Sequence, residues 1–576
     1  NLCNMWCGKM YLLETNSYSL ITITSPRLPI TNPSFQLLSY RQLLISFPSN
    51  YISLEVDRIE RFSGIGSKIR SKETLIALLI ILMGALLRLL YIGSCPVGFN
   101  QDEASAGYEA WALLNYGMDR NGNSMPVLFV SWGSGQNVLY SYLSMPFIVL
   151  FGLSEFSVRL LSALAGSATL PVFYLLAKKI RGTGFGLTAL VVLAFNPWHI
   201  MISRWALESN LLPFFLLLGI YFLIMSREKP AYMPLSALAF ALSLYAYGTA
   251  FIFLPFFFIL SFVYFIICRE LRTKSFLCSL AVFLVVALPI TLCNLINILE
   301  LGERSFLGLT LPELTQTRQA STTVFGKYGF GQIIKNQSRF LKLLWTQDDG
   351  LPWNSVPGFG LFYGIAGLIP SAIGLFSCIH SMARKKGNKS ESLILFAVVS
   401  AFIAAGLIDV NINRVNMAFL PIIYFQALGI WLIAAALGRN GIYAFLCVIA
   451  LLCSLFAYNY FTGYQKTLSP HFFEGLGEAI KYAEGLDTEG IWITGEVNSP
   501  YIYVLFYNRI PPGEFIHSVE YTDPEAPFRP VSSFDKYRFG GDVPEGNYAY
   551  IIPATEAGPD KLRIIHRFGN YAVALP

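Results

Sequence analysis

Charge is scarce in this chain: Asp, Glu, Lys and Arg make up 13% of its 576 residues, against 54% hydrophobic, and the mean hydropathy is +0.53. That balance excludes an ordinary water-soluble globular protein of this length. A cysteine framework is also missing. The nine cysteines are scattered, with Cys278, Cys293 and Cys453 inside apolar stretches and Cys3 and Cys7 a lone pair, which leaves neither a disulfide scaffold nor a zinc ribbon. Nor is there a strand followed by a glycine-rich phosphate loop, so a soluble nucleotide-sugar fold is not expected. The formal charge of +6 does not point to nucleic acid, because Lys and Arg sit in short clusters between apolar runs, where membrane orientation accounts for them. No nucleic-acid partner is expected.

What the sequence does contain is a series of runs nearly free of charge, recurring from Thr74 onward and long enough to cross roughly 30 Å of hydrocarbon as helices. Twelve apolar segments can be marked between residues 74 and 461. If all of them crossed, four basic clusters (Lys178, Lys179 and Arg181; Arg227 and Lys229; Arg269, Arg272 and Lys274; Arg384, Lys385, Lys386 and Lys389) would face away from the N-terminal group Arg58, Arg61, Lys68, Arg70 and Lys72. If the short segment 137–153 instead lies along or dips into the outer interface, every cluster falls on the cytoplasmic side, as membrane proteins prefer.

The expectation is therefore an all-α polytopic membrane protein of about eleven transmembrane helices, N-terminus cytoplasmic. Residues 1–72 read as an N-terminal extension, cytosolic or artefactual, and residues 73–461 as the transmembrane domain. Residues 462–576 read as a small extracytoplasmic α/β domain, helix-like at 471–486 and strand-like at 491–494, 501–507 and 548–552.

Just outside the first span the chain reads FNQDEASAGYEAWALLNYG over 99–117. Asn100 followed by Glu103 has the spacing of a capping box, so an interfacial helix is expected to begin here. Its positive end favours ionised Asp102 and Glu103, one of which could accept a proton at the membrane surface; the plainer reading is that both only cap the helix. The second outer loop, FNPWHIMISRWALESNLLPFF over 195–215, brings His199, Arg204 and Glu208 to the same surface, although Arg204 could snorkel and Glu208 cap the next span. Arg88 lies inside the first span, Arg159 opens the span after the interfacial segment, and Arg414 sits in DVNINRVN. Arginine suits phosphate at a membrane boundary through its planar fork, and equally suits a lipid headgroup anchor.

With these features in place the chain, from about residue 75 to 460, resembles the GT-C glycosyltransferases, in the branch of the protein O-mannosyltransferases and the lipid A aminoarabinose transferase. FSVRLLSALAG (156–166) is similar to the family's Arg-bearing second span, and TQDDGLPWNSVPGFG (346–360) to its turn before a later span. The resemblance implies Asp102 as the catalytic base with Glu103 beside it, and Arg88, Arg204, Glu208 and Arg414 as substrate or phosphate ligands. Glu208 departs from the Asp often found there. The implied reaction is an inverting sugar transfer from a polyprenyl-phosphate donor, in contact with membrane lipid, to a protein, glycan or lipid acceptor at the outer face of a plasma membrane. No cofactor is required; a divalent cation on Asp102, Glu208 and His199 stays open, although their spacing matches no defined ligand motif. The rival classes are a lipid or glycolipid flippase, which should show internal repeats and helices interrupted at mid-membrane, and a polymerase or ligase with its chemistry in a late loop.

Overall fold

Buried in lipid, a backbone must bond to itself, and long helices are the solution this chain adopts. The computed structural model describes residues 63–576 except 318–321, 325–329, 525, 527–528 and 556–561. The extension before residue 63, with Cys3, Cys7, Arg58 and Arg61, lies outside the described residues. Helices run in the order α1 (Ser63–Leu89), α2 (Gln101–Tyr116), α3 (Leu139–Phe151), α4 (Glu155–Arg181), α5 (Thr183–Ala194), α6 (Pro197–Ile202), α7 (Leu212–Ser226), α8 (Tyr232–Ala246), α9 (Ala250–Ile267) and α10 (Thr273–Ile298). They continue as α11 (Phe330–Thr346), α12 (Ile365–Ala383), α13 (Glu391–Leu407), α14 (Phe419–Leu437) and α15 (Arg439–Phe461). Two short hairpins interrupt them, β1 (Leu128–Phe129) with β2 (Gln136–Asn137), and β3 (Arg304–Phe306) with β4 (Leu309–Leu311).

Among the described residues, seven helical segments are long and apolar enough to cross a membrane, while α3, α5, α8 and α13 are apolar but shorter. The segment expected not to cross, α3, has 13 residues and measures about 20 Å, but α5, within a segment expected to cross, has 12, so length does not separate the two. Outward faces are greasy: Leu277 and Val285 of α10 are 57% and 72% exposed, the surface a bilayer would cover. Inside, small residues let backbones meet. A β-carbon on Gly374 of α12 would land on the Phe425 carbonyl of α14, and one on Gly429 of α14 would land on the Pro370 carbonyl of α12, so the two helices interlock through glycine.

After α15 the chain builds α16 (Leu476–Glu484), β5 (Gly490–Ile493), α17 (Tyr501–Asn508), α18 (Pro512–Ser518), β6 (Glu520–Tyr521), β7 (Val531–Phe534), β8 (Tyr537–Phe539), β9 (Tyr548–Pro553), β10 (Arg563–Phe568) and β11 (Tyr571–Leu575). The strands form one sheet ordered β10-β11-β9-β5-β8-β7-β6, with β5 parallel to β8 and β9 and the remaining pairs antiparallel. The expected strands at 491–494 and 548–552 are present. Residues 501–507, YIYVLFY, are not a strand but helix α17: Pro500 precedes its first turn, Tyr501 to Phe506 are all buried, and Arg509 ends it at φ 53°. Burial on every side removes the alternation that separates strand from helix, and docking decides the outcome.

Helices α2 to α4 share one apolar core with α16, α17 and the sheet. At the α12–α14 contact, substituting Gly429 by Ala should destabilise the protein by about 1–3 kcal/mol through overpacking. The check is thermal unfolding in detergent, with Gly513→Ala, where a β-carbon meets nothing within 4 Å, staying near wild type.

Candidate active site

The turn before α2 is built around one carboxylate. The Asn100 side chain accepts from the Asp102 N–H at 3.0 Å, and Glu103 Oε2 accepts from the Asn100 N–H at 3.0 Å, completing the capping box. Glu103 is fully buried and faces Arg159 of α4 as a fork: Nε to Oε1 is 2.7 Å and Nη2 to Oε2 is 2.8 Å. The Ala206 N–H donates to the same Oε1 at 2.8 Å. Arg159 spends its other N–H groups on the carbonyls of Ile92, Pro96 and Gly98. A carboxylate has about four acceptor sites and a guanidinium five donors, and all are engaged here. Glu103 thus has no lone pair left to take a proton from a substrate; its place is to hold the turn that presents Asp102.

Asp102 is half-buried and lines a cavity of about 870 Å³. Its lining is mixed: apolar residues such as Phe251, Ile252, Ile290, Ile298 and Ile408, and polar ones such as Gln101, Ser134, Asn137, Asn498 and Ser499. Arg414 also lines it. Its Nη1 is 2.6 Å from Asp409 Oδ2, while Asp409 Oδ1 accepts from Arg339 of α11 at 2.9 Å, so one carboxylate is shared by two guanidiniums and positive charge remains.

The structure brings Asp102 and Arg414 to one cavity; Glu208 does not line it, but its carboxylate accepts from the N–H of Asn137, which does. The other two arginines proposed as phosphate ligands are used differently. Arg88 donates to the carbonyls of Gly84, Leu193 and Ala194, which closes the end of α5, and its guanidinium also meets His199 Nδ1 at 2.8 Å. Arg204 donates to the carbonyls of Leu87, Leu90 and Cys95 at the end of α1 and stacks on Phe461 at 4.6 Å. Both are fully buried, and their positive charge meets the negative ends of helices rather than a ligand. His199, facing a guanidinium, is in no position to bind a cation. Among the described residues no three His, Cys, Asp or Glu side chains are grouped to hold a metal, so Asp102, Glu208 and His199 do not form the ligand set considered from sequence.

Some neighbours of the site were not singled out from sequence. Arg120 pairs with Glu109 at 3.2 Å and stacks between Trp132 at 4.8 Å and Tyr501 at 5.7 Å, and Trp132 lines the cavity. Tyr503 of α17 has a buried hydroxyl without a hydrogen-bond partner among the described residues. Burial first, then the negative charges of Tyr571, Asp102 and Glu103, hold its phenol protonated well above the usual range. Neither residue belongs to a short motif. The one available signal was the aromatic density of 501–507.

Residues 78–301 match the family described as dolichyl-phosphate-mannose-protein mannosyltransferase. That match spans well under half of the chain. Two solved structures of ArnT from Cupriavidus metallidurans share the fold: one bound to undecaprenyl phosphate at 13% identity and TM-score 0.53, and one in the apo state at 14% and 0.51. Each alignment covers 89% of this chain and 98% of the other. The Archaeoglobus fulgidus oligosaccharyltransferase in its apo form is also similar, at 13% identity and TM-score 0.48, over 76% of this chain and 63% of that one. No curated protein matches by sequence. The glycosyltransferase match contains Asp102, Glu103, Arg159 and Glu208; Arg414 and the C-terminal sheet lie beyond it.

Two outcomes follow from this geometry. Glu103→Ala strands a buried Arg159 charge and should cost about 3–5 kcal/mol, read as a large loss of melting temperature. Glu109 is pushed up to about 7 by burial, against the pull of Arg120. A carboxyl raised in the folded state stabilises below its unfolded pKa and loses that contribution as pH rises through the folded one. Wild-type melting temperature should therefore fall relative to Glu109→Gln between about pH 5 and pH 8, and parallel curves would contradict this.

Proposed function

We propose that the chain transfers a sugar from a polyprenyl-phosphate donor to an acceptor at the outer face of the membrane, with Asp102 as general base. The observation that carries this reading is that an acid beside the Glu103 clamp and a cation, Arg414, line one cavity whose lining holds both apolar and polar residues. A lipid-linked sugar donor carries both kinds of surface. Asp102 takes the proton of the acceptor as its oxygen or nitrogen bonds to the anomeric carbon. The bond from that carbon to the phosphate oxygen breaks with inversion, and Arg414 meets the charge growing on the leaving phosphate. That a protein of this fold has been solved with undecaprenyl phosphate bound supports the donor class.

On this reading residues 73–461 form the transferase proper, 462–576 an extracytoplasmic domain, and the N-terminus is cytoplasmic in a plasma membrane. Asp102→Asn, which keeps shape and removes the base, should lower transfer from a labelled polyprenyl-phosphate sugar by about 10²–10⁴-fold without changing melting temperature. An unimpaired variant would refute the base. Movement of the labelled lipid across vesicles with no bond cleavage would replace the transferase reading with a flippase.

A further inference from the structure

The geometry points to helix α11 as a binding surface for the phosphate headgroups of anionic membrane lipid, at the end of the helix bundle where the cavity lies.

The place of α11 is fixed at both of its ends. In its first half Asn336 donates to the Gly406 carbonyl at 3.2 Å, Gln337 donates to the Phe402 carbonyl at 2.7 Å, and the Phe340 ring packs on Phe402 at 6.2 Å, so this part rests on the last turns of α13. Just past its end, the Gln347 side chain donates to the Gly364 carbonyl at 2.8 Å and accepts from the N–H groups of Phe362 and Gly364 at 2.8 and 3.1 Å, immediately before α12 begins. The chain goes in through α12 and returns through α13, both apolar, which brings the start of one and the end of the other to one membrane surface. A helix of 17 residues, about 25 Å long, that lies across both ends runs along that surface rather than through it. Arg339 pairs with Asp409, which also pairs with Arg414 of the cavity lining, so α11 and the cavity share this end of the bundle.

The side of α11 turned away from α13 carries two rows. Ile334, Leu341 and Trp345 are 66%, 55% and 70% exposed and fall on one stripe. Lys335, Arg339 and Lys342, all exposed, form a second stripe about 100° around the helix from the first. Val399 and Phe402 of α13 are exposed as well, so the apolar stripe continues an outward surface that a bilayer would cover. This is the pattern of a helix lying in the interface, with Ile, Leu and Trp entering the acyl boundary while the Lys and Arg heads stay at the level of the headgroups. Among the described residues no carboxylate pairs with Lys335 or Lys342, and the one paired with Arg339 is shared with Arg414. The basic stripe therefore keeps a net positive charge. It complements a headgroup whose phosphate is uncompensated and gains little from a zwitterionic one, whose own cation offsets the phosphate.

The test uses the full chain in detergent as wild type, as the double variant Lys335→Gln with Lys342→Gln, and as Trp345→Phe; Arg339 is left intact because it holds Asp409. Melting temperature is followed on titration with phosphatidylglycerol, phosphatidylcholine and inorganic phosphate. Expected are a larger rise with phosphatidylglycerol than with phosphatidylcholine for wild type, and a lysine variant that melts as wild type in detergent alone and needs roughly tenfold more phosphatidylglycerol for half of the rise. In vesicles of brominated lipid, Trp345→Phe should lose part of the tryptophan quenching seen in wild type. Equal responses of wild type to the two lipids, an unchanged titration of the lysine variant, or quenching unaltered in Trp345→Phe would each overturn the proposal. A rise with inorganic phosphate equal to that with phosphatidylglycerol would overturn the lipid as the source of the phosphate.

Discussion

The bond between Glu103 and Arg159 sets the position of everything chemical in this chain. Two charges removed from water are costly, and the cost is offset only when the geometry satisfies every donor and acceptor. Here the guanidinium gathers the carbonyls of Ile92, Pro96 and Gly98, and the carboxylate gathers the N–H groups of Asn100 and Ala206. Three stretches of chain, distant in sequence, are tied at one point: the turn from α1 into α2, the start of α4 and the loop after α6. Asp102, one residue away, inherits a fixed direction from this pair.

The second constraint is the cavity itself, whose lining mixes Ile and Phe with Asn, Ser and Thr. Arg414 reaches the cavity between α13 and α14, and its charge is shared through Asp409 with Arg339 on α11. Because Asp409 is about half exposed, this exchange is partly screened by water and leaves Arg414 available as a cation.

How much of this was legible beforehand depended on whether the signal was local. The capping box was, since Asn100 and Glu103 are three residues apart, and so was the candidacy of Asp102. The membrane class followed from the apolar runs, and the mixed α/β character of the tail from its composition and pattern. The partners of Arg88 and Arg204 were not legible, because they include backbone carbonyls of other segments, which no sequence displays. Glu103 looked like a twin of Asp102, and only the fourfold occupancy of its oxygens separates the two. The stretch 501–507 has the composition of a strand and the structure of a helix, since its environment was set by α2 and the sheet rather than by its own alternation.

The contact of Phe506 with Gly107 places the C-terminal domain against the backbone of the helix that begins at Asp102, leaving no room there for even a methyl group. In evolutionary terms the sheet domain is not a detachable accessory. A lineage that exchanged it for another would have to exchange the first outer loop as well, so the two should be inherited as a single unit even though more than three hundred residues of chain separate them.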